Sequence, residues 1–153
     1  MPTFVYCKAA QFGLIFEQKF YGAALKIQEI QHLGDLFRFD KENIIDDEQA
    51  TEYVNQLLDV ALIESDEKII EEIIDTFFLI TERRYVKANW IKLSKLLPSR
   101  KIQGQIIMII SLLGNSCDNS MIPILDTYLQ HHDPEVQKTA QETIEEINKL
   151  CDS

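Results

Sequence analysis

The sequence predicts an all-α fold: a right-handed α-solenoid of about three helical hairpins behind an irregular N-terminal helical cap at residues 1–40. Three observations predict it. Chain breakers are sparse, with five Gly and four Pro in 153 residues, while strong helix formers abound. Apolar residues recur at helical spacing in successive segments. Those segments also echo one another at a nearly fixed period.

Residues 1–40 are the least regular stretch. Phe4, Val5 and Tyr6 suit a short strand or a first helical turn, and the apolar run 9–16 is interrupted by Gly13. Residues 19–33 read as a helix with Ala23, Ile27, Ile30 and Leu33 on one stripe; Gly34 then breaks it, and Asp35 caps a short turn through Phe39. Residues 40–45 form a loop. Asp46 or Asp47 caps the next helix, whose Val54, Leu57, Leu58, Ala61 and Leu62 make an apolar face to about Glu64. Ser65 or Asp66 caps a helix with Ile69, Ile73, Phe77 and Ile80 inward, ending near Arg83 and Arg84, where cations suit a helix C-terminus.

A shorter helix at 86–97 turns Trp90, Leu93, Leu96 and Leu97 inward, and Pro98 stops it. Ser99 caps a helix at 100–113 that is apolar nearly all round and so the most buried, ended by Gly114 and Asn115. Asn119 or Ser120 opens a helix carrying Ile122, Leu125 and Leu129. Asp133 caps the last one, with Pro134 at its first position and Val136, Ala140, Ile144 and Ile147 inward.

Set in register, Asp66, Ser99 and Asp133 are followed by Ile69, Ile102 and Val136, then Ile73, Ile106 and Ala140, at offsets of 33 and 34 residues. A helix–turn–helix unit at that period is too thin to bury its own face and must stack. The hairpins fall at 47–83, 86–114 and 119–150, within a single domain spanning 1–153. On Pro123 in a first helix, Asp133 in the turn, and Val136 and Ala140 in a second helix, the chain resembles the HEAT-like repeat family, especially its short bacterial form. The resemblance covers 47–150. The family often places an Arg after the Val position, laddering to the turn Asp; here those positions are Ile70, Gln103 and Gln137, and the ladder is absent.

The net charge of −10 sets the whole chain against a phosphate backbone and favours a basic protein partner over nucleic acid. Cys7, Cys117 and Cys151 show no metal or disulfide spacing and read as free thiols of a reducing, cytoplasmic setting. No signal peptide is read at the start, and the apolar run 106–113 is too short to span a bilayer. His131, His132 and Asp133 read as a turn: the helix dipole favours histidine there, Asp133 is needed as a cap, and adjacent histidines on a helix point apart. Neither metal nor cofactor is expected. No cysteine has an evident His–acid partnership, and no Gly-rich phosphate loop occurs.

Charge is segregated. Residues 40–82 hold fourteen acidic residues against Lys41 and Lys68, whereas 83–101 hold seven basic residues and no acid. The two blocks either pair with each other or serve a partner. On the helix after Asp66, Glu71, Asp75 and Glu82 fall on one side with Glu72 adjacent, an unrelieved acidic stripe. The repeat offset aligns Asp75 with Met108 and Glu142, and Glu71 with Gly104 and Lys138. The expected partner-binding column is therefore Glu71, Glu72, Asp75, Gly104, Met108 and Glu142, with no catalytic residue. Together, size, acidity and repeat scaffold look like a bacterial immunity protein, monomeric when free, that neutralises a basic toxin domain. Alternatives are a scaffold or adaptor subunit of a larger assembly, or an enzyme similar to HEAT-like DNA glycosylases and lyases, for which Arg83, Arg84, Lys87, Lys92, Lys95, Arg100 and Lys101 would supply the basic groove.

Overall fold

The computed structural model describes residues 23–42 and 44–151, and these carry helices and no strand. The expectations for residues 1–22 lie outside the described residues. Six α-helices follow in order: α1 Ala23–Arg38, α2 Asp47–Ile63, α3 Glu67–Arg83, α4 Gln103–Leu113, α5 Ile122–Tyr128 and α6 Pro134–Cys151. Four short 3-10 helices lie between α3 and α5, at Trp90–Lys95, Leu97–Ser99, Gly114–Ser116 and Asn119–Met121. The chain divides into two compact units, Met1–Val86 and Lys87–Ser153.

In the first unit, the helix starts are written by short-range chemistry. Asp46 accepts the Gln49 N–H at 2.8 Å and Gln49 Oε1 accepts the Asp46 N–H at 3.1 Å, a reciprocal cap that satisfies two otherwise orphaned donors. Asp66 accepts the Lys68 N–H at 2.9 Å ahead of α3. α1 and α3 lie side by side and run in the same direction. Lys26 near the start of α1 pairs with Glu64, just before α3, at 3.2 Å. Further along, Gly34 abuts Thr76 and Leu79 of α3. Gly34 does not end the helix as expected: it keeps no left-handed backbone, a side chain there would meet Thr76 and Leu79 at ordinary contact distance, and α1 runs on to Arg38.

The apolar stripes close over one core. Ile30, Leu33 and Phe37 of α1, Val54, Leu57 and Leu58 of α2, and Ile69, Ile73, Phe77 and Ile80 of α3 are all buried. Phe37 meets Tyr53 edge to face, with ring centroids 6.3 Å apart.

The second unit departs further from expectation. Residues 86–97 do not form an α-helix. The chain has no helical structure at 84–89 and then winds into 3-10 turns, with the Lys92 N–H bonded to the Asn89 carbonyl and the Leu96 N–H to Leu93, three residues back. Pro98 supplies no N–H and disfavours α geometry at Leu97, which bars an α-helix from running through it but does not account for the missing helix over 86–96. Packing holds the segment instead: Trp90, Leu93, Leu96 and Leu97 are buried, as expected.

Ser99 is not a cap, because its hydroxyl donates to the Leu96 carbonyl at 2.9 Å. α4 begins three residues later than expected, behind Ile102, which makes no side-chain cap and stands 58% exposed. α4 is apolar, with Ile106, Ile109, Ile110, Leu112 and Leu113 buried, but Ile107 and Met108 are half-buried, so one face stays open. It ends at Leu113 with Gly114 as its cap, but Gly114 keeps a right-handed conformation and leads into a 3-10 turn; the left-handed residue, at φ 49°, is Cys117, which ends that turn. Cys117 is also disulfide-bonded, which corrects the reading of free thiols and removes its support for a reducing compartment.

Asp118 accepts the Ser120 N–H at 2.8 Å, taking the capping role expected of its neighbours, and these bonds hold its carboxyl below the usual carboxylate range. Asp133 caps α6 as expected, accepting the Glu135 N–H at 2.8 Å. Val136, Ala140 and Ile147 are buried there, with Thr143 also inward and Ile144 half-buried.

Candidate protein-binding surface

The acidic stripe lies on α3 of the first unit. Glu71, Asp75 and Glu82 are exposed on the side opposite Ile69, Ile73, Phe77 and Ile80, because a spacing of four or seven residues returns to the same helix face. Among the described residues none of the three makes an ion pair. Partial burial, together with the negative charge of Glu71, pushes the Asp75 carboxyl above its ordinary value. The charges on this face therefore repel one another, with no ion pair among the described residues to offset them. Glu72 is half-buried, and as the next residue after Glu71 it is rotated about 100° around the helix, off the stripe.

The other residues of the expected column belong to the second unit. Gly104 is exposed in the first turn of α4, and a side chain there would meet nothing within 4 Å. Met108 follows one turn on and is half-buried. Glu142 is exposed on α6, where Lys138 stands 3.8 Å away, so its charge has a local partner that Glu71 and Asp75 lack. Physical support for binding thus concentrates on α3.

The charge on Asp75 has a consequence for stability. The folded state holds the Asp75 proton more tightly than the unfolded chain does. The penalty is complete above the folded-state pKa and vanishes below the ordinary one, so this group's contribution to stability improves as pH falls through that window. Asp75→Asn should raise stability by a few tenths of a kcal/mol, about 0.2–0.5 before solvent screening reduces it, and flatten that pH dependence. Urea midpoints of both proteins across the acid range measure this.

Sequence reasoning missed the best-connected polar node of the first unit. Arg84 donates to the Ile45 carbonyl at 2.7 Å, approaches Asp40 Oδ2 at 3.8 Å and pairs with Asp47. Asp40 in turn accepts the N–H groups of Ile44 and Ile45 at 2.6 and 3.0 Å. One guanidinium thereby ties the loop before α2 to the end of α3. The partners are 37 to 44 positions away along the chain, so no local pattern announces them. Here the basic and acidic blocks do pair with each other.

The histidine pair resolves as a turn with different geometry from that expected. His131 and His132 lie before α6 and stack, with centroids 4.2 Å apart, instead of diverging, since neither residue is helical. His131 Nδ1 accepts the Asp133 N–H at 3.1 Å. Among the described residues no group of three or more His, Cys, Asp or Glu side chains is placed to hold a metal ion. An open groove of about 470 Å³ beside α6 is lined by Leu129, Pro134, Gln137, Lys138 and Gln141, with no acid–base pair among its walls. Trp90 is 1% exposed and belongs to the core, as expected. No described helix is long and apolar enough to cross a membrane.

No protein-family model matches this chain, and no curated protein and no solved structure is significantly similar to it.

Proposed function

We propose that this chain is a non-catalytic protein-binding module, most specifically an immunity protein that captures and neutralises a basic bacterial toxin domain. The unrelieved acidic stripe on α3 carries this reading. Glu71 and Asp75 repel each other across one helical turn, and among the described residues neither makes an ion pair, Lys68 one turn before Glu71 included. Such an arrangement weakens the free protein and strengthens a complex in which a cation lies between the two carboxylates. A net charge of −10 adds long-range attraction, which speeds encounter with a basic partner.

The scaffold is read as a stack of HEAT-like hairpins forming a right-handed solenoid. Two features support it: the 33- and 34-residue offsets in the sequence, and the parallel run of α1 and α3 on either side of α2. Elements of this kind offer broad exposed faces rather than enclosed reaction centres.

The direct test is co-purification with the polypeptide encoded by the adjacent reading frame, followed by titration of the purified pair. Glu71→Lys with Asp75→Lys should weaken binding at least about tenfold and reduce its salt dependence. An affinity unchanged by this double reversal excludes the α3 stripe as the binding face. Absence of any complex removes the support for an immunity role.

A further inference from the structure

We propose that His131 is a pH-sensitive clasp on the turn between α5 and α6, closed while its imidazole is neutral and released when the ring takes a second proton. The device is independent of the binding reading on α3, since every group in it belongs to the second unit.

The turn spans 129–133, and one residue ties most of it together. His131 donates its own N–H to the Tyr128 carbonyl at 3.1 Å. Its Nδ1 accepts the Asp133 N–H, two residues on, at 3.1 Å. Its carbonyl accepts the side-chain amide of Gln137 on α6. Its ring stacks on His132, with centroids 4.2 Å apart, and on Tyr128 at 6.2 Å. The end of α5 and the start of α6 are thus joined through a single side chain and its backbone. Gln137 also lines the open groove of about 470 Å³, so the His131 carbonyl holds one wall of that groove in place.

The Nδ1 bond fixes a protonation state. A ring nitrogen that accepts an N–H bears a free lone pair, so the imidazole is neutral and carries its proton on Nε2. Protonation at Nδ1 turns the acceptor into a donor and sets two N–H groups against each other. The Asp133 N–H loses its partner, and the ring must swing away. The stack adds to this, because two imidazolium rings side by side repel. The open turn binds a proton that the closed turn excludes. Closure is therefore favoured as pH rises and lost as pH falls through the range in which histidine ordinarily titrates, about pH 5 to 8. His131 is half-buried and His132 exposed, so protons reach both rings.

The other charged or titratable groups around the turn are Asp126 and Tyr128 on α5, and Asp133, Glu135 and Lys138 on α6. α4 packs on α6, and the cations before its first turn are Arg100 and Lys101. Carboxyl groups ordinarily titrate below the histidine range and ammonium and guanidinium groups above it; burial pushes the Tyr128 hydroxyl further up still. The nearby carboxylates attract the second proton without replacing the lost acceptor. That of Asp133 is already engaged as the cap of α6, accepting the Glu135 N–H at 2.8 Å.

The test follows imidazole and amide resonances of the isotope-labelled full chain by NMR from about pH 8 to about pH 5. The Asp133 backbone amide and the Gln137 side-chain amide should shift with the His131 ring at one shared midpoint. The Asp133 amide should lose about twofold to tenfold in exchange protection after division by intrinsic rates, the factor that one net hydrogen bond contributes. His131→Asn keeps an acceptor at every pH, because an asparagine side-chain oxygen reaches the N–H two residues on, and it should abolish these shifts. His132→Asn should retain them. Amides that stay fixed over this range in the native chain, or that move in His131→Asn as they do in the native chain, overturn the clasp. Loss of the response in His132→Asn assigns it to the other ring and overturns it too. A response at Asp133 with none at Gln137 overturns the link to the groove.

Discussion

Arg84→Ala should lower the stability of the first unit by about 2–3 kcal/mol, more than any other single surface-proximal change in that unit. The reason is what it leaves behind. The Asp40 side chain is only 6% exposed and keeps its two N–H donors, but it loses its ion pair with Arg84. The Ile45 carbonyl loses its 2.7 Å donor at the same time. The third partner contributes little: Asp47 is 93% exposed, and an ion pair in full solvent adds on the order of 0–1 kcal/mol. Asp47→Ala is thus the matched control. Arg84→Lys should recover only part of the loss, because an ammonium group cannot span a carbonyl and two carboxylates as a planar guanidinium does. Urea unfolding measures each difference as a shift in midpoint, valid while the slope is unchanged. A midpoint for Arg84→Ala equal to that of Asp47→Ala would show that the node is an exposed ion pair and nothing more.

Trp90→Ala should be the more damaging change, costing about 3–5 kcal/mol. The indole is 1% exposed and is the largest fully buried side chain in the second unit. Elsewhere, losing a core residue weakens a helix that still has its own ladder of backbone bonds. The segment Trp90–Ser99 has only 3-10 turns, which are poor in hydrogen-bond geometry and survive through packing. Removing the anchor should therefore release the segment locally, before the unit as a whole unfolds. Lys87, Lys92, Lys95 and Lys101 put tryptic sites along and beside it. Brief trypsin digestion of Trp90→Ala should cut first within 87–101, while the native chain resists there. Equal cutting patterns in the two proteins would contradict the claim that this side chain holds the segment.

How much of this was legible in the sequence follows the range of each interaction. Helix starts governed by two or three neighbouring residues were readable: Asp46, Asp66 and Asp133 all cap where the pattern put them. Core stripes were readable too, since burial follows helical periodicity at Ile69, Ile73 and Phe77. Errors arose where a residue had a distant use. Gly34 looked like a stop signal because its neighbour across the α1–α3 contact is Thr76, 42 positions on. Ser99 looked like a cap until the 3-10 turn claimed its hydroxyl. The acidic residues of α3 were legible as a stripe, since Glu71, Asp75 and Glu82 recur at helical spacing. The Arg84 node was not: its links to Ile45 and Asp40 are absent from any local window.

The 3-10 winding also changes how far each residue carries the chain. A 3-10 helix rises about 2.0 Å per residue against about 1.5 Å for an α-helix. The six residues of Trp90–Lys95 therefore reach about 12 Å, whereas an α-helix would need about eight to cover that length. The neighbouring α4, with 11 residues, is about 16 Å long. With Trp90 and Leu93 buried along it, the 3-10 segment covers its own length with about two residues fewer than an α-helix would need.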